Sequence, residues 1–310
     1  MNEEMYDVII IGGGPAGLTS AIYTSRERLK TLVLEKAICG GLPATTELVE
    51  NYPGFPEGIS GVELMKRFKE QAMRFGTEIR EFNEVKKIEH EDKIFKVETN
   101  YETYRGSTVI VASGSVPKKL NVPGEEEFIG RGVSYCAICD GPFYQNKDIA
   151  IIGCGNSGLQ EGETLLKYVK SITFVEFLPY IPAEKILQER VSKDPRVRFF
   201  LNHIVTAING DTAVQSITIK NRETGEEKEI KVDGVFVYVG FLPNTKFLEG
   251  LVELDKQGYI ITDEDMRTSH PGIYAVGDVR SKKIRQIAVA CGEGTIAAIA
   301  VRDYLKELER

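Results

Sequence analysis

The chain has 310 residues, 42% of them hydrophobic, with 39 basic and 46 acidic side chains and a formal net charge of −7. That length suits two buried cores at ~100–200 residues per domain, and an acidic balance without a Lys/Arg-rich cluster argues against nucleic acid or an anionic membrane as partner. The opening Met1-Asn2-Glu3-Glu4 is acidic where a signal peptide is basic, the first apolar run (Val8 to Ile11) is too short to span a bilayer, and the five cysteines are an odd set, so a reducing, cytoplasmic setting is expected.

Asp7-Val8-Ile9-Ile10-Ile11 is a continuous apolar run of strand type, followed by Gly12-Gly13-Gly14-Pro15-Ala16-Gly17 and a helix pattern through Leu18, Ala21 and Ile22. Gly12, Gly14 and Gly17 allow the tight turn, the approach of backbone N–H groups to a pyrophosphate and close packing of helix on strand. A second strand, Thr31–Leu34, ends at Glu35, whose carboxylate can accept from ribose hydroxyls. Phe95-Lys96-Val97-Glu98 alternates as a half-exposed strand, and Thr108–Val111 is a buried strand closing on Ala112-Ser113-Gly114. Ser115-Val116-Pro117 then reads as a crossover.

Cys136-Ala137-Ile138-Cys139-Asp140 places two thiols one helical turn apart with a carboxylate directly after them. The spacing suits a reversible dithiol/disulfide in which Asp140 moves the proton. A structural zinc needs four ligands, and neither a second Cys-x-x-Cys nor clustered histidines supply them, so no metal is expected.

The nucleotide-binding pattern then returns. Asp148–Ile152 leads into Gly153-Cys154-Gly155-Asn156-Ser157-Gly158, a helix through Leu165 and Leu166, and a strand Ser171–Val175 ending at Glu176. The interval from first glycine to acid is the same in both copies, 35 − 12 = 23 and 176 − 153 = 23. Two such units imply two dinucleotides, as a flavin exchanging electrons with a nicotinamide requires, with a duplicated fold carrying one dead site as the competing reading. Ile217–Lys220 is a half-exposed strand turning at Glu223-Thr224-Gly225. Gly234–Val239 is a second buried strand closing on Gly240, and Phe241–Asn244 a second crossover. Ile273–Asp278 forms a further strand, and Gly294–Ala300 opens a small-residue helix. This final segment is expected to return to the first domain. The expected fold is α/β, with two Rossmann-like, three-layer ββα domains. The first spans 1–116 and 245–310, and the second, 117–244, is inserted into it.

On Gly12–Gly17 with Glu35, Gly40-Gly41, Glu50-Asn51-Tyr52-Pro53-Gly54, Cys136–Asp140, Gly277-Asp278 and Arg285-Gln286, the chain resembles the low-molecular-weight thioredoxin reductases over essentially its whole length. The resemblance implies FAD in the first domain, contacted by Gly12, Gly14, Pro15, Ala16, Gly17, Glu35, Lys36, Gly41, Leu42, Thr46, Asn51, Ala112, Gly114, Gly277, Asp278, Arg285, Gln286 and Ile287. It also implies a homodimer, with Cys139 facing the flavin, Cys136 attacking the disulfide of thioredoxin or a glutaredoxin-like protein, and Asp140 as acid/base. A dithiol cannot lie against a flavin and meet a protein partner at once, so the two crossovers are expected hinges.

The chain departs from that pattern in its second domain. NADPH-dependent members follow the strand with His-Arg-Arg and a further arginine just before Ala-Glu-Lys. Here Glu176, Phe177, Leu178 and Pro182 stand at those positions, and no cation remains. Glu176 should repel a 2′-phosphate and accept from a free 2′-OH, which makes NADPH an unfavourable donor. Gly153, Gly155, Asn156, Ser157, Gly158 and Glu176 are therefore expected to bind NADH. Alternatively the site is vestigial, obstructed by the bulky run Phe177–Pro182, and ferredoxin or a deazaflavin reduces FAD. A flavin-bound redox sensor without turnover is the alternative from a different class; the retained Asp140 and both thiols weigh against it.

Overall fold

The first apolar run forms strand β1 (Met5–Ile11), and it is buried on both faces. Side chains alternate along a strand, so Val8 and Ile10 enter a core shared with helix residues Leu18, Ala21, Met65 and Ala297. Ile9 and Ile11 enter a second core, with Phe95, Val97 and Ile260. A run buried on both sides reads as continuously apolar, as parallel strands covered on two faces do. In this computed structural model, which describes residues 4–248 and 250–308, helix α1 (Pro15–Arg26) follows with Pro15 in its first turn, where a missing N–H costs nothing.

Strand β2 (Thr31–Leu34) precedes α2 (Gly61–Arg74), whose Ser60 cap accepts the Glu63 N–H and whose Leu64, Met65 and Ala72 are buried. Short β3 (Glu78–Arg80) leads to the meander β4 (Val85–Glu91), β5 (Ile94–Thr99) and β6 (Thr103–Val111). The chain then leaves through β7 (Ser115–Pro117).

The inserted segment builds β8 (Val133–Ser134), α3 (Ala137–Asp140), β9 (Asp148–Ile152), α4 (Asn156–Leu165), β10 (Ser171–Glu176), α5 (Lys185–Val191) and β11 (Val197–Leu201). An antiparallel sheet, β12 (His203–Gly210), β13 (Val214–Asn221) and β14 (Glu227–Lys231), precedes β15 (Gly234–Val237). The main sheet runs β11-β10-β9-β15-β8, all parallel. Strand β9 repeats the division seen in β1. Ile149 and Ile151 pack with Leu159, Leu165 and Leu187, while Ala150 and Ile152 pack with Ile208, Ile217 and Ile219 of the antiparallel sheet. Helices cover one face and the small sheet the other, a Rossmann-like three-layer unit.

The chain returns through β16 (Phe241–Pro243), then forms β17 (Ile273–Ala275) and α6 (Ile287–Leu308). Strand β17 pairs with Val109–Val111 on the same edge of β6 whose first part pairs with β5. The first sheet is ordered β3-β2-β1-β6-β5-β4, with β17 added beside β6. The chain divides into two compact units, one made of the residues up to Val116 together with those from Leu242 onward, the other of Pro117–Phe241. At the edge of the first unit Asn244 N–H donates to Gly114 O and Ser113 Oγ donates to Asn244 O; in the second, Lys118 N–H donates to Gly240 O. No helix among the described residues is long and apolar enough to cross a membrane.

The last helix begins at Ile287, seven residues before the Gly294 expected to open it. Gly294 is a point of contact rather than a start: a Cβ there would lie 2.5 Å from Ala16 O, and Ser20 Oγ donates to Gly294 O at 3.1 Å. The glycine costs α6 up to about 1 kcal/mol of helix propensity and lets α1 approach.

The same logic separates two glycines of the second turn. A Cβ on Gly158 would lie 2.0 Å from Gly153 O, whereas one on Gly155 meets nothing within 4 Å. Gly158→Ala is expected to destabilise the protein by about 1–3 kcal/mol, and Gly155→Ala to stay within about 0.5 kcal/mol of the parent. Thermal unfolding of the holoprotein checks this; equal midpoints for the two variants would contradict it.

Candidate functional site

The first glycine turn sits at the carboxyl end of β1, held between its neighbours: Gly12 N–H donates to Leu34 O at 2.8 Å and Ala112 N–H to Ile11 O at 2.8 Å. Gly12 adopts φ +109°, and a Cβ there would lie 2.3 Å from Ala112 O. Gly17 touches Gly12 O in the same way, whereas Gly14 faces open space. Glu35 accepts from Gly13 N–H at 2.7 Å through one carboxylate oxygen and from Ala37 N–H at 2.9 Å through the other. Gly40 N–H donates to Gly13 O, Gly41 packs on the Gly14 Cα, and a Cβ on Gly277 would lie 2.9 Å from Ala16 Cβ. The structure thus gathers Gly12–Gly17, Glu35, Gly41, Ala112 and Gly277 around one turn.

A cavity opens beside that turn, lined by Gly12, Glu35 and Lys36 together with Asn83, Glu84, Val85, Ser113, Asn244 and Phe247. The last six are additions to the residues expected from sequence. Ser113 lies between the expected Ala112 and Gly114, whereas Asn83, Glu84, Val85, Asn244 and Phe247 come from segments whose local pattern signals no ligand. Leu42 lies in a 3₁₀ turn that ends at Thr46, whose carbonyl accepts from Gly61 N–H. Gly114, with φ +63°, faces open space. Asn51 Nδ2 donates to Gln286 Oε1 at 3.3 Å, which brings together two expected residues 235 positions apart. Ile287, the first residue of α6, packs on Val49, Ile59 and Leu64.

Asp278 is organised by a buried carboxylate that sequence reasoning overlooked. Glu293 accepts from Gly277 N–H at 2.7 Å, Arg280 Nη1 at 2.7 Å and Lys282 Nζ at 3.1 Å. Lys282 also stands 3.5 Å from Asp278. Burial pushes the Asp278 carboxyl up, and the Lys282 and Arg285 charges oppose that push. Arg285 lies over the Tyr259 ring at 4.4 Å, and its Nε is buried with no hydrogen-bond partner. An orphaned buried donor, a turn with room at Gly14 and a cavity bearing Glu35 together fit a dinucleotide in this unit.

The second turn repeats the first at the level of individual atoms. Gly153 has φ +102°, a Cβ on it would lie 2.2 Å from Tyr238 O, and Gly155 faces open space as Gly14 does. Gly153 N–H donates to Val175 O and Tyr238 N–H to Ile152 O, each at 2.8 Å. Glu176, buried at 6% exposure, accepts from Cys154 N–H at 2.6 Å and from Leu178 N–H at 2.9 Å. Asn156 and Glu184 clasp each other, Asn156 Nδ2 donating to Glu184 Oε1 at 2.9 Å and Glu184 N–H to Asn156 Oδ1 at 2.8 Å. In the bulky run after Glu176, Phe177 and Tyr180 are 53% and 58% exposed, and Ile181 packs on the helix-side core. This end of the unit is not without a cation, since the Arg222 guanidinium lies 3.4 Å above the Phe177 ring.

Cys136 and Cys139 form a disulfide. Cys136 caps the four-residue helix α3, and Cys139 N–H points at Cys136 Sγ from 3.2 Å. Ser134 Oγ accepts from Cys136 N–H at 3.1 Å, and Asp140 N–H donates to Cys136 O at 3.2 Å, so the carboxylate follows directly on the redox turn. Cys139 is exposed and Cys136 half-buried. The other three thiols are free. Burial pushes Cys39 up to about 12 and raises Cys154 and Cys291 as well, which makes them poor nucleophiles.

Residues 6–294 match the family model described as pyridine nucleotide-disulphide oxidoreductase. The thioredoxin reductase of Bacillus subtilis is 44% identical over 308 residues, 99% of this chain and 97% of that protein. The solved thioredoxin reductase of Lactococcus lactis is 41% identical, with TM-score 0.95 over 97% of this chain and 99% of that one. That of T. acidophilum is 42% identical, with TM-score 0.93 over 99% and 100%. With two glycine turns, an acid bonded to each and a Cys-x-x-Cys disulfide in the inserted unit, the chain belongs to the pyridine nucleotide-disulphide oxidoreductases, as an FAD-dependent disulfide oxidoreductase of the low-molecular-weight thioredoxin reductase type.

Proposed function

We propose that the protein carries electrons from a reduced nicotinamide, NADH in preference to NADPH, through FAD to the Cys136–Cys139 disulfide and on to the disulfide of thioredoxin or a glutaredoxin-like protein. The observation that carries this reading is the disulfide itself: two cysteines of a short surface helix, next to Asp140, in the unit that bears the second glycine turn. FAD, when bound, supplies two-electron chemistry between a nicotinamide and a disulfide.

In this reading Gly12–Gly17 receive the pyrophosphate, Glu35 and Lys36 the adenosine end, and Asn51, Asp278, Arg285 and Gln286 the remainder of FAD. Once the dithiol is formed, the Cys139 N–H that points at Cys136 Sγ favours a thiolate there. That thiolate attacks one sulfur of the partner disulfide and forms a mixed disulfide, and a partner thiolate leaves. Asp140 supplies the proton the leaving sulfur takes up. The Asp140 carboxylate, now deprotonated, takes the Cys139 proton, the Cys139 thiolate attacks Cys136 Sγ, and the second partner sulfur leaves and takes up that proton, restoring the internal disulfide; two electrons and two protons have moved.

Selection of the donor rests on Glu176. Each of its oxygens accepts one backbone N–H, which leaves lone pairs for ribose hydroxyls, and its charge opposes a 2′-phosphate. Glu35 makes the matching pair of bonds in the first unit.

Mixed anaerobically with the holoprotein, NADH is expected to bleach the flavin absorbance, and NADPH to need about tenfold higher concentration, the ratio one like-charge contact supplies. Bleaching by neither would overturn the nicotinamide reading and point to ferredoxin or a deazaflavin. A thiol count with an aromatic disulfide reagent provides a second check. The oxidised protein should react slowly, and prior reduction should expose two fast thiols per chain that the Cys136→Ser/Cys139→Ser double variant lacks.

A further inference from the structure

The loop that follows β10, residues 177–182, reads Phe-Leu-Pro-Tyr-Ile-Pro and carries no charge. A cation is delivered to it from another part of the unit. Arg222, in the turn between β13 and β14, stacks its guanidinium 3.4 Å above the Phe177 ring. Its Nη1 donates to Phe177 O at 3.0 Å and contacts Asn202 Oδ1 at 3.4 Å. The carbonyl it bonds belongs to the peptide group joining Phe177 to Leu178, and the N–H of that same peptide donates to Glu176 Oε1 at 2.9 Å. One peptide group therefore separates the arginine from the carboxylate. With two hydrogen bonds of about 3 Å and a peptide about 2 Å across, guanidinium and carboxylate lie at most ~8 Å apart, about one Debye length at physiological salt.

Asn202 N–H donates to Leu178 O, and Arg222 N–H to Asn202 O, both at 2.9 Å, so the hairpin and the β11–β12 connection grip the loop from its backbone. Both side-chain bonds of Arg222 leave from Nη1, so Nε and Nη2 remain for an anion. Arginine suits such a position because its planar fork can stack on a ring and still donate from its free edge.

We infer that Arg222 is a specificity-determining residue of the second dinucleotide site, supplying from the β13–β14 turn the positive charge that meets a ribose 2′-phosphate. This rests on the reading that the second glycine turn binds a nicotinamide dinucleotide. Glu176 disfavours the 2′-phosphate and Arg222 partly offsets that, so NADPH is a poor donor rather than an excluded one. Charge and clamp are separable, because a clamp acts on every adenosine ligand alike while the charge acts only on those bearing the extra phosphate.

The test uses the holoprotein and two probes, 5′-AMP and 2′,5′-ADP, with affinities measured by calorimetry for the parent, Arg222→Gln and Arg222→Lys. Arg222→Gln should weaken 2′,5′-ADP about tenfold, as loss of a charge-assisted contact does, and change 5′-AMP by less than about twofold; Arg222→Lys should keep most of the 2′,5′-ADP affinity. Equal weakening of both ligands, no change in either, or 2′,5′-ADP binding too weak to measure in the parent would each overturn the role of Arg222. Failure of the parent to bind 5′-AMP, together with no bleaching by NADH, would instead remove the dinucleotide reading on which it rests.

Discussion

Each unit of this chain is assembled around a glycine, Gly12 or Gly153, whose position leaves no room for a Cβ atom. At Gly12 the carbonyl of Ala112 occupies the space a side chain would need, and at Gly153 the carbonyl of Tyr238 does the same. In each case the next strand of the sheet has been drawn against the end of the first, and the helix that follows starts in contact with the turn through Gly17 or Gly158. The first two N–H groups of each turn are taken by the neighbouring strand and its acid, and space is left open at Gly14 and Gly155, where a pyrophosphate can meet a helix N-terminus. The acid at the end of the second strand is tied to the same turn by a backbone bond.

The redox turn depends on different physics. Cys136 and Cys139 close a ring on a helix of one turn, with a backbone N–H directed at one sulfur and Asp140 immediately following. The remaining thiols are kept from such chemistry by burial, which holds their protons on. Reactivity in this protein is thus decided by solvation and by where one N–H points, not by the number of cysteines.

Local signals carried most of the fold. The strand–turn–helix pairs and the acid 23 residues after each first glycine were legible from spacing and apolar runs, because each is fixed by neighbours in sequence. What escaped were groups whose partners lie far along the chain. Glu293 sits among small residues in a helix and shows its purpose only when Gly277, Arg280 and Lys282 converge on it. Val85 and Phe247 line the cavity beside Glu35 with no motif of their own. Arg222 stands 46 residues after Glu176, in a turn read simply as a turn, yet it restores a charge to a loop that appeared to have none.

The central claim is that the Cys136–Cys139 pair relays electrons to a partner disulfide, and it is tested most directly with the single-cysteine variants. NADH-driven reduction of a thioredoxin should proceed with the parent and fall by about a thousandfold or more in Cys136→Ser and in Cys139→Ser, as loss of a nucleophile does, while NADH still bleaches the flavin in both. Thioredoxin reduced at the parent rate by either variant would contradict the account.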